Sequence, residues 1–551
     1  MFLRRASEIL KRIRLNLPTV DRLKGSSVSL QSSVIISNSR YTSGGSGAGG
    51  SRSKFIWGVV LSGQAVVLGV HCCPSLAEEA SVADLANRND GGEADVIELQ
   101  RIEDGSVASN EHTVKWRIFT DKGRELFLQG KLDDAETCFS SALREAREGF
   151  GERDPHVASS CNNLAELYRV KRAFDKAEPL YLEAIRILEE SFNPEDIRVG
   201  AALHNLGQFY VAQRKLEEAR VCYERALKIK GRVLGYAHLD YAETMYHLGK
   251  VLYLQGNESD SNLLIQDSIR ILEEGGMGES EICIRRLRYL AQIMLRSNRP
   301  SEAENLQRKI LHILELVKGW ESLDTVIAAE GLALTLQSLG GLIDAQELLE
   351  RCLATRKFIL SDDHIQVAAN MLHLARIAML KFDHIRKVEL DKARDELDRA
   401  TNHLDDSMRI SRLVLDRFNE NKGRIQSKGP PKEDERGRHI AFIILLQSID
   451  TKVRLETAKS ELQESKVKDA HPIEAERAFR ECISLFKESG LRRALLNSRD
   501  VQLEYLSCLK HLLSLMTGSG ESQLSRETLQ ELKDEIKRVE AMLSPSRKHG
   551  N

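Results

Sequence analysis

The chain predicts an all-α fold: a right-handed α-solenoid of helical hairpins with a 42-residue period, closed by a helical C-terminal cap. Three observations carry that reading. Residues 164–185, LAELYRVKRAFDKAEPLYLEAI, are echoed 42 positions later by residues 206–227, LGQFYVAQRKLEEARVCYERAL. Small residues recur at this step as faithfully as large ones. The composition, 29% charged but 5% aromatic with 10 Pro in 551 residues, suits helices and lacks the aromatic and β-branched load of sheets. A chain this long exceeds one ordinary core and requires several domains or an elongated array.

The small residue of each first helix is Gly123, Ala165, Gly207, Gly249, Ala291, Ala333 and Ala375, each 42 from the last. A leucine precedes all but the first, where Lys122 stands. A second small position follows twelve residues on (Ala135, Ala177, Ala219, Ser261, Ala303, Ala345), and a third seven beyond that (Ala142, Ala184, Ala226, Ser268, then Ile310 and Cys352). Phe139, Tyr181 and Tyr223 lie between them. Offsets of 3, 4 and 7 keep such positions on one helical face. A Gly or Ala on the inner face of each helix lets two antiparallel backbones approach, and the neighbouring Leu or Tyr fills the space beside it. One hairpin buries only part of its apolar surface, so hairpins must stack.

This spacing, with Tyr168 and Tyr210 three residues after the first small position, resembles the tetratricopeptide repeat. The 42-residue period and the strings NNLAELYRVKRAFDKAEPLYLEAI and HNLGQFYVAQRKLEEARVCYERALKI resemble the kinesin light chain and nephrocystin-3 type, and Pro179 sits where that type tolerates a proline. The resemblance covers 113–405. It implies a binding scaffold, with groove-facing side chains just before and after the small residue on the concave face. Those are Asn162, Asn163, Arg169, His204, Asn205, Gln208, Tyr246, His247, Lys250, Arg288 and Gln292. Asn can pin an extended peptide backbone through paired donor and acceptor, and Arg or Lys can meet a carboxylate. The alternative for these residues is a solvated helix face or inter-repeat hydrogen bonding. No long heptad region precedes the repeats, so the motor association of kinesin light chains is not carried over.

In the seventh repeat Ala393 and Ala400 arrive six residues late, which places an insertion around FDHIRKVELDK. Residues 406–438 read as a helix end and a flexible polar loop with a Pro pair. In 439–551, residues 439–489 read as another helix pair, with Ala475 and Cys482 at the seven-residue spacing. Residues 499–517 and 525–543 read as a closing hairpin. There Leu529, Leu532, Ile536, Val539 and Leu543 form an apolar stripe suited to a solenoid cap or a short coiled coil.

The N-terminus carries its own signals. Residues 1–54 hold ten basic and two acidic residues, a formal +8, and are Ser-, Gly- and Arg-rich, the composition of an organelle transit peptide. Arg40 before Tyr41 resembles a mitochondrial processing site. Residues 55–73, FIWGVVLSGQAVVLGVHCC, hold no charge and suffice for about 28 Å of helix, a transmembrane segment of marginal length or else a second sorting or peripheral segment. The acidic linker 74–112 follows, with a formal −7 over 75–105. These features predict a mitochondrial inner-membrane protein with its repeats in the intermembrane space; a chloroplast or cytosolic location is the alternative.

The net charge of −2 argues against a nucleic-acid binder, which needs a basic face. Nine cysteines without a CxxC pair or ligand spacing read as reduced structural thiols, with Cys72 and Cys73 as candidate acylation sites. No Gly-rich phosphate loop, HExxH or GxSxG motif occurs; GGSGAGG at 44–50 lacks a Lys and is a linker. The expectation is a non-enzymatic protein scaffold without cofactor, metal or small-molecule substrate, binding an extended partner segment in its groove. A cytosolic cargo adaptor is the runner-up, and an enzyme within 437–551 the third reading.

Overall fold

The computed structural model describes residues 111–421, 432–462, 499–518 and 526–543. Among them are seventeen helices and no strand. The transit-like segment, the apolar 55–73 segment, Cys72 and Cys73, the acidic linker up to 110 and the Ala475/Cys482 pair lie outside the described residues. Among those described, no helix is long and apolar enough to cross a membrane.

Two compact units divide at Arg286/Leu287. The first contains four hairpins: α1 (Glu111–Leu128) with α2 (Leu132–Phe150), α3 (Pro155–Val170) with α4 (Phe174–Ser191), α5 (Ile197–Ala212) with α6 (Leu216–Val233), and α7 (Leu239–Leu254) with α8 (Glu258–Glu274). The boundary falls inside α9 (Glu281–Arg296). The second unit contains α10 (Pro300–Lys318), α11 (Leu323–Leu339), α12 (Leu342–Ile359), α13 (Ile365–Ile385), α14 (Leu390–Asn421), α15 (Lys432–Leu462), α16 (Arg499–Gly518) and α17 (Arg526–Leu543).

Five of the first helices start, and six stop, by a repeated device. Asp154, Asp196, His238, Ser280 and His364, all on the 42-residue step, accept a backbone N–H of the first turn of α3, α5, α7, α9 and α13 at 2.8–3.2 Å. The helices end at Gly130, Arg172, Arg214, Gly256, Asn298 and Gly340, again 42 apart and all with φ between 54° and 84°. The following N–H then bonds back to the carbonyl five residues earlier, as in Lys215 N to Tyr210 O at 2.9 Å, a Schellman closure. Arg172, Arg214 and Asn298 hold a left-handed backbone that costs a side chain about 1 kcal/mol over glycine. The next position on this step is Phe382, 1% exposed and helical. With that turn absent, α13 runs on to Ile385, and the late Ala393 and Ala400 of α14 are fully buried.

The small positions are where the hairpins close. Ala135, Ala165, Ala177, Ala184, Ala219, Ala226, Ala333, Ala345 and Ala375 are all buried. A Cβ added at Gly207 would lie 2.8 Å from the Tyr223 ring, one at Gly123 2.6 Å from Phe139, and one at Gly249 2.8 Å from Ile265. Tyr223 cannot yield, because it is itself fully buried. Gly207→Val is therefore expected to destabilise the chain by about 1–3 kcal/mol, read as a lowered urea midpoint; an unchanged midpoint would mean that the α5–α6 contact is loose.

In the second unit, α14 continues to Asn421 and α15 begins at Lys432, so the polar stretch expected as a loop to 438 is helical from 432 onward. α16 packs on α15 and α17 on α16. Leu532, Ile536 and Val539 are buried in one core with Phe442, Tyr505 and Leu509, and Leu529 and Leu543 pack against it. The apolar stripe of α17 is thus used within the chain, as a cap.

Candidate functional site

The seams between consecutive first helices follow a simple register in the first unit. A residue three before one small position meets the residue two before the next. Asn205 Nδ2 donates to Asn162 Oδ1 at 3.2 Å, and the rings of His204 and His247 stand edge to face at 5.0 Å. The face of α3, α5 and α7 therefore carries a ladder of polar side chains running across the hairpins.

Proton positions in the ladder follow from its geometry. Thr244 Oγ1 donates to the Asp240 carbonyl at 3.0 Å, so it can only accept from His204 Nδ1, 3.1 Å away. His204 Nε2 is then an acceptor of a hydrogen bond donated by Gln208 Nε2 at 3.1 Å. The Gln208 amide is oriented by this bond, with Oε1 as its uncommitted acceptor. Burial, with Lys230 and His247 nearby, holds the His204 imidazole well below its usual titration range, which keeps it neutral.

Charged residues on the face are matched locally. Glu166 accepts from the Arg169 guanidinium through both oxygens and from Tyr181 Oη at 2.7 Å. Glu243 accepts from His247 Nε2 at 3.0 Å and from Arg286. Burial alone would raise the Glu243 carboxyl, yet the His247 hydrogen bond, with the charges of His247 and Arg286, holds it well below the carboxylate range. Lys250 and Arg286 lie 5.4 and 5.2 Å from the centroid of the Tyr246 ring.

The expected groove residues thus divide. Asn162, Arg169, Asn205, Gln208, His247 and Lys250 are half-buried on the face. His204, Tyr246 and Asn163 were expected to face outward and are buried instead, at 0%, 4% and 2% exposure. Bulky rings at the seam are covered by the adjoining first helix, so His204 and Tyr246 act as struts between repeats. Asn163 Nδ2 is enclosed without a hydrogen-bond partner. Arg288 and Gln292, half-buried on α9, fall in the second unit.

The sequence reading missed the buried cations. The position 23 residues after the first small residue is apolar in Ala146, Leu188, Leu272 and Leu314 but Lys230 and Arg356 in the other two repeats, all buried. That break in pattern was the available signal. The described cysteines are buried, and burial pushes the thiols of Cys161 and Cys352 up to about 12, as expected of inert structural thiols. Among the described residues, His112, Glu145 and Glu148 are close enough to share a metal ion. The 3.0 Å hydrogen bond between His112 Nδ1 and Glu145 Oε2 accounts for the approach of those two.

Stacked helical hairpins with a polar ladder along their first helices define a helical-repeat binding protein. Residues 121–190 and 198–274 match one family model of the tetratricopeptide repeat, and residues 325–366 match another; these segments are tetratricopeptide repeats. No curated protein matches the chain. Similar solved structures include the nearly identical TPR-like repeats of a Podosopora anserina protein described as a kinesin light chain, at 21% identity, covering 38% of this chain and 98% of that one with a TM-score of 0.35. BtubC (BKLC) from P. vanneervenii is similar at 16% identity over 59% of this chain and 97% of that one, TM-score 0.26. The apo form of RapI is similar at 12% identity over 78% and 99%, TM-score 0.45.

Proposed function

We propose that the chain is a protein-interaction scaffold that captures an extended partner segment on the face of α3, α5 and α7. One observation carries this reading. The Asn162–Asn205 bond uses one donor and one acceptor, leaving Asn162 Nδ2 and Asn205 Oδ1 for a ligand, beside Gln208 Oε1. A peptide main chain offers the complementary C=O and N–H groups. Replacing both Asn162 and Asn205 by Ala is expected to reduce partner recovery in a pull-down about tenfold, the effect of losing two hydrogen bonds of roughly 0.7 kcal/mol each, while the melting curve stays put. Unchanged recovery would remove the face from the account.

The scaffold is further proposed to be held at an organelle membrane through residues 55–73, with 1–54 as the address and the mitochondrial inner membrane as the site. The opposite charges flanking an uncharged 19-residue stretch support this. Protease protection of a C-terminal tag until outer-membrane rupture is the expected result; a tag digested in intact mitochondria would favour a cytosolic adaptor.

A further inference from the structure

We infer that the stretch of this face lined by α3 and α5 selects a partner segment without net charge, reading main-chain and neutral amide or hydroxyl groups. The inference rests on the proposed face and specifies its ligand class.

The groups presented there are the amides of Asn162, Asn205 and Gln208, whose uncommitted atoms are one donor and two acceptors. The charges around them already have partners. Both oxygens of Glu166 are engaged by Arg169, and one of them also by Tyr181. On α7 the Glu243 carboxylate is shared between His247 and Arg286. Arg286 is 2% exposed and gives a further N–H to the carbonyls of Ala242 and Ser268 at 3.3 and 3.2 Å. His204, at the centre of the ladder, is neutral with both ring nitrogens bonded.

A ligand carboxylate brought to this stretch would be desolvated beside Glu166 and would have to take Arg169 from it. A ligand ammonium would meet Arg169 with its countercharge already in place. Neither exchange gains a new ion pair, and each loses hydration. An amide or hydroxyl loses less on leaving water and finds the three uncommitted amide atoms. The stretch lined by α3 and α5 therefore discriminates against charge of either sign.

The test is selection of phage-displayed random 12-residue peptides on the full chain, on the Asn162→Ala/Asn205→Ala variant, and on Gln208→Ala as a second, single substitution. The expected result is enrichment of peptides with net charge near zero on the wild type, lost in the double variant and weakened in Gln208→Ala. Their affinity should change less than about twofold between 50 and 500 mM salt, since no surface ion pair is made for salt to screen. Enriched peptides that are acidic or basic, and still depend on Asn162 and Asn205, would overturn the charge selection while leaving the binding face in place. Peptides whose capture is indifferent to all three amides would overturn the face itself.

Discussion

Arg356→Ala is expected to lower the stability of the chain by about 3–5 kcal/mol, the largest effect of any single substitution considered, because it leaves a carboxylate buried without its cation. Arg356 is 0% exposed and grips Glu330 through two N–H···O bonds of 2.8 and 2.7 Å. It also donates to Asn370 Oδ1 at 3.0 Å, and Asn370 in turn donates to the Leu349 carbonyl at 3.0 Å. Burial by itself would raise the Glu330 carboxyl, but the Arg356 charge and hydrogen bonds hold it below the usual range. Without Arg356 that carboxyl takes up a proton more readily, so the deficit should shrink as the pH falls. The double variant Glu330→Leu/Arg356→Leu, which gives position 356 the residue found at Leu188, Leu272 and Leu314, should recover most of the loss. Urea unfolding of the three chains at pH 7.5 and 5 measures all of this. A single variant as stable as wild type would mean that water reaches the pair.

The second large effect is acid lability beginning above the carboxylate range. His373 is 3% exposed, and burial first, opposed by Glu330 and aided by Arg376 and Arg356, lowers its imidazole to about 4. His204 and His364 are displaced in the same direction, again chiefly by burial. In the unfolded chain such rings titrate near 6.5. The folded state therefore binds fewer protons than the unfolded one, and the stability involved is fully present above about pH 6.5. It is lost as the pH falls toward about 4, with His373 alone accounting for roughly 3 kcal/mol over that window. The urea midpoint should drop steadily from pH 7 to pH 5, and His373→Leu should flatten the slope. A midpoint independent of pH in that range would show that these rings titrate normally in the fold.

Much of this architecture was legible because its physics is local and periodic. Close approach of two helices demands Gly or Ala at fixed offsets, and Ala165, Gly207 and Ala333 declare that demand wherever they occur. The left-handed turn ending six of the first helices was equally periodic, yet it is held by Gly130, Gly256 and Gly340 in some repeats and by Arg172, Arg214 and Asn298 in others, so no single residue type marks it. Residues 432–438 were read as loop because of Pro430 and Pro431, although Glu433, Asp434 and Glu435 are what the first turn of a helix favours. At the site, Asn162 and Asn205 were identified from the resemblance and lie together on the face. His204 and Tyr246 were placed on the correct helices and the wrong side of the seam. Whether a ring at that position faces solvent or the neighbouring helix depends on the inter-repeat distance, which is a property of stacking and leaves no mark in one repeat's sequence. The Arg356–Glu330 pair joins positions 26 apart on different helices, and only the break from Leu at position 356 hinted at it.

The proposed binding mode lays a partner along the first-helix face of the first unit. Site-specific photo-crosslinking tests it most directly, with p-benzoylphenylalanine introduced in place of Gln208 on α5 or of the exposed Arg186 on α4. A crosslinked partner is expected from position 208 and none from position 186. Crosslinking from 186 alone, or equally from both, would contradict it.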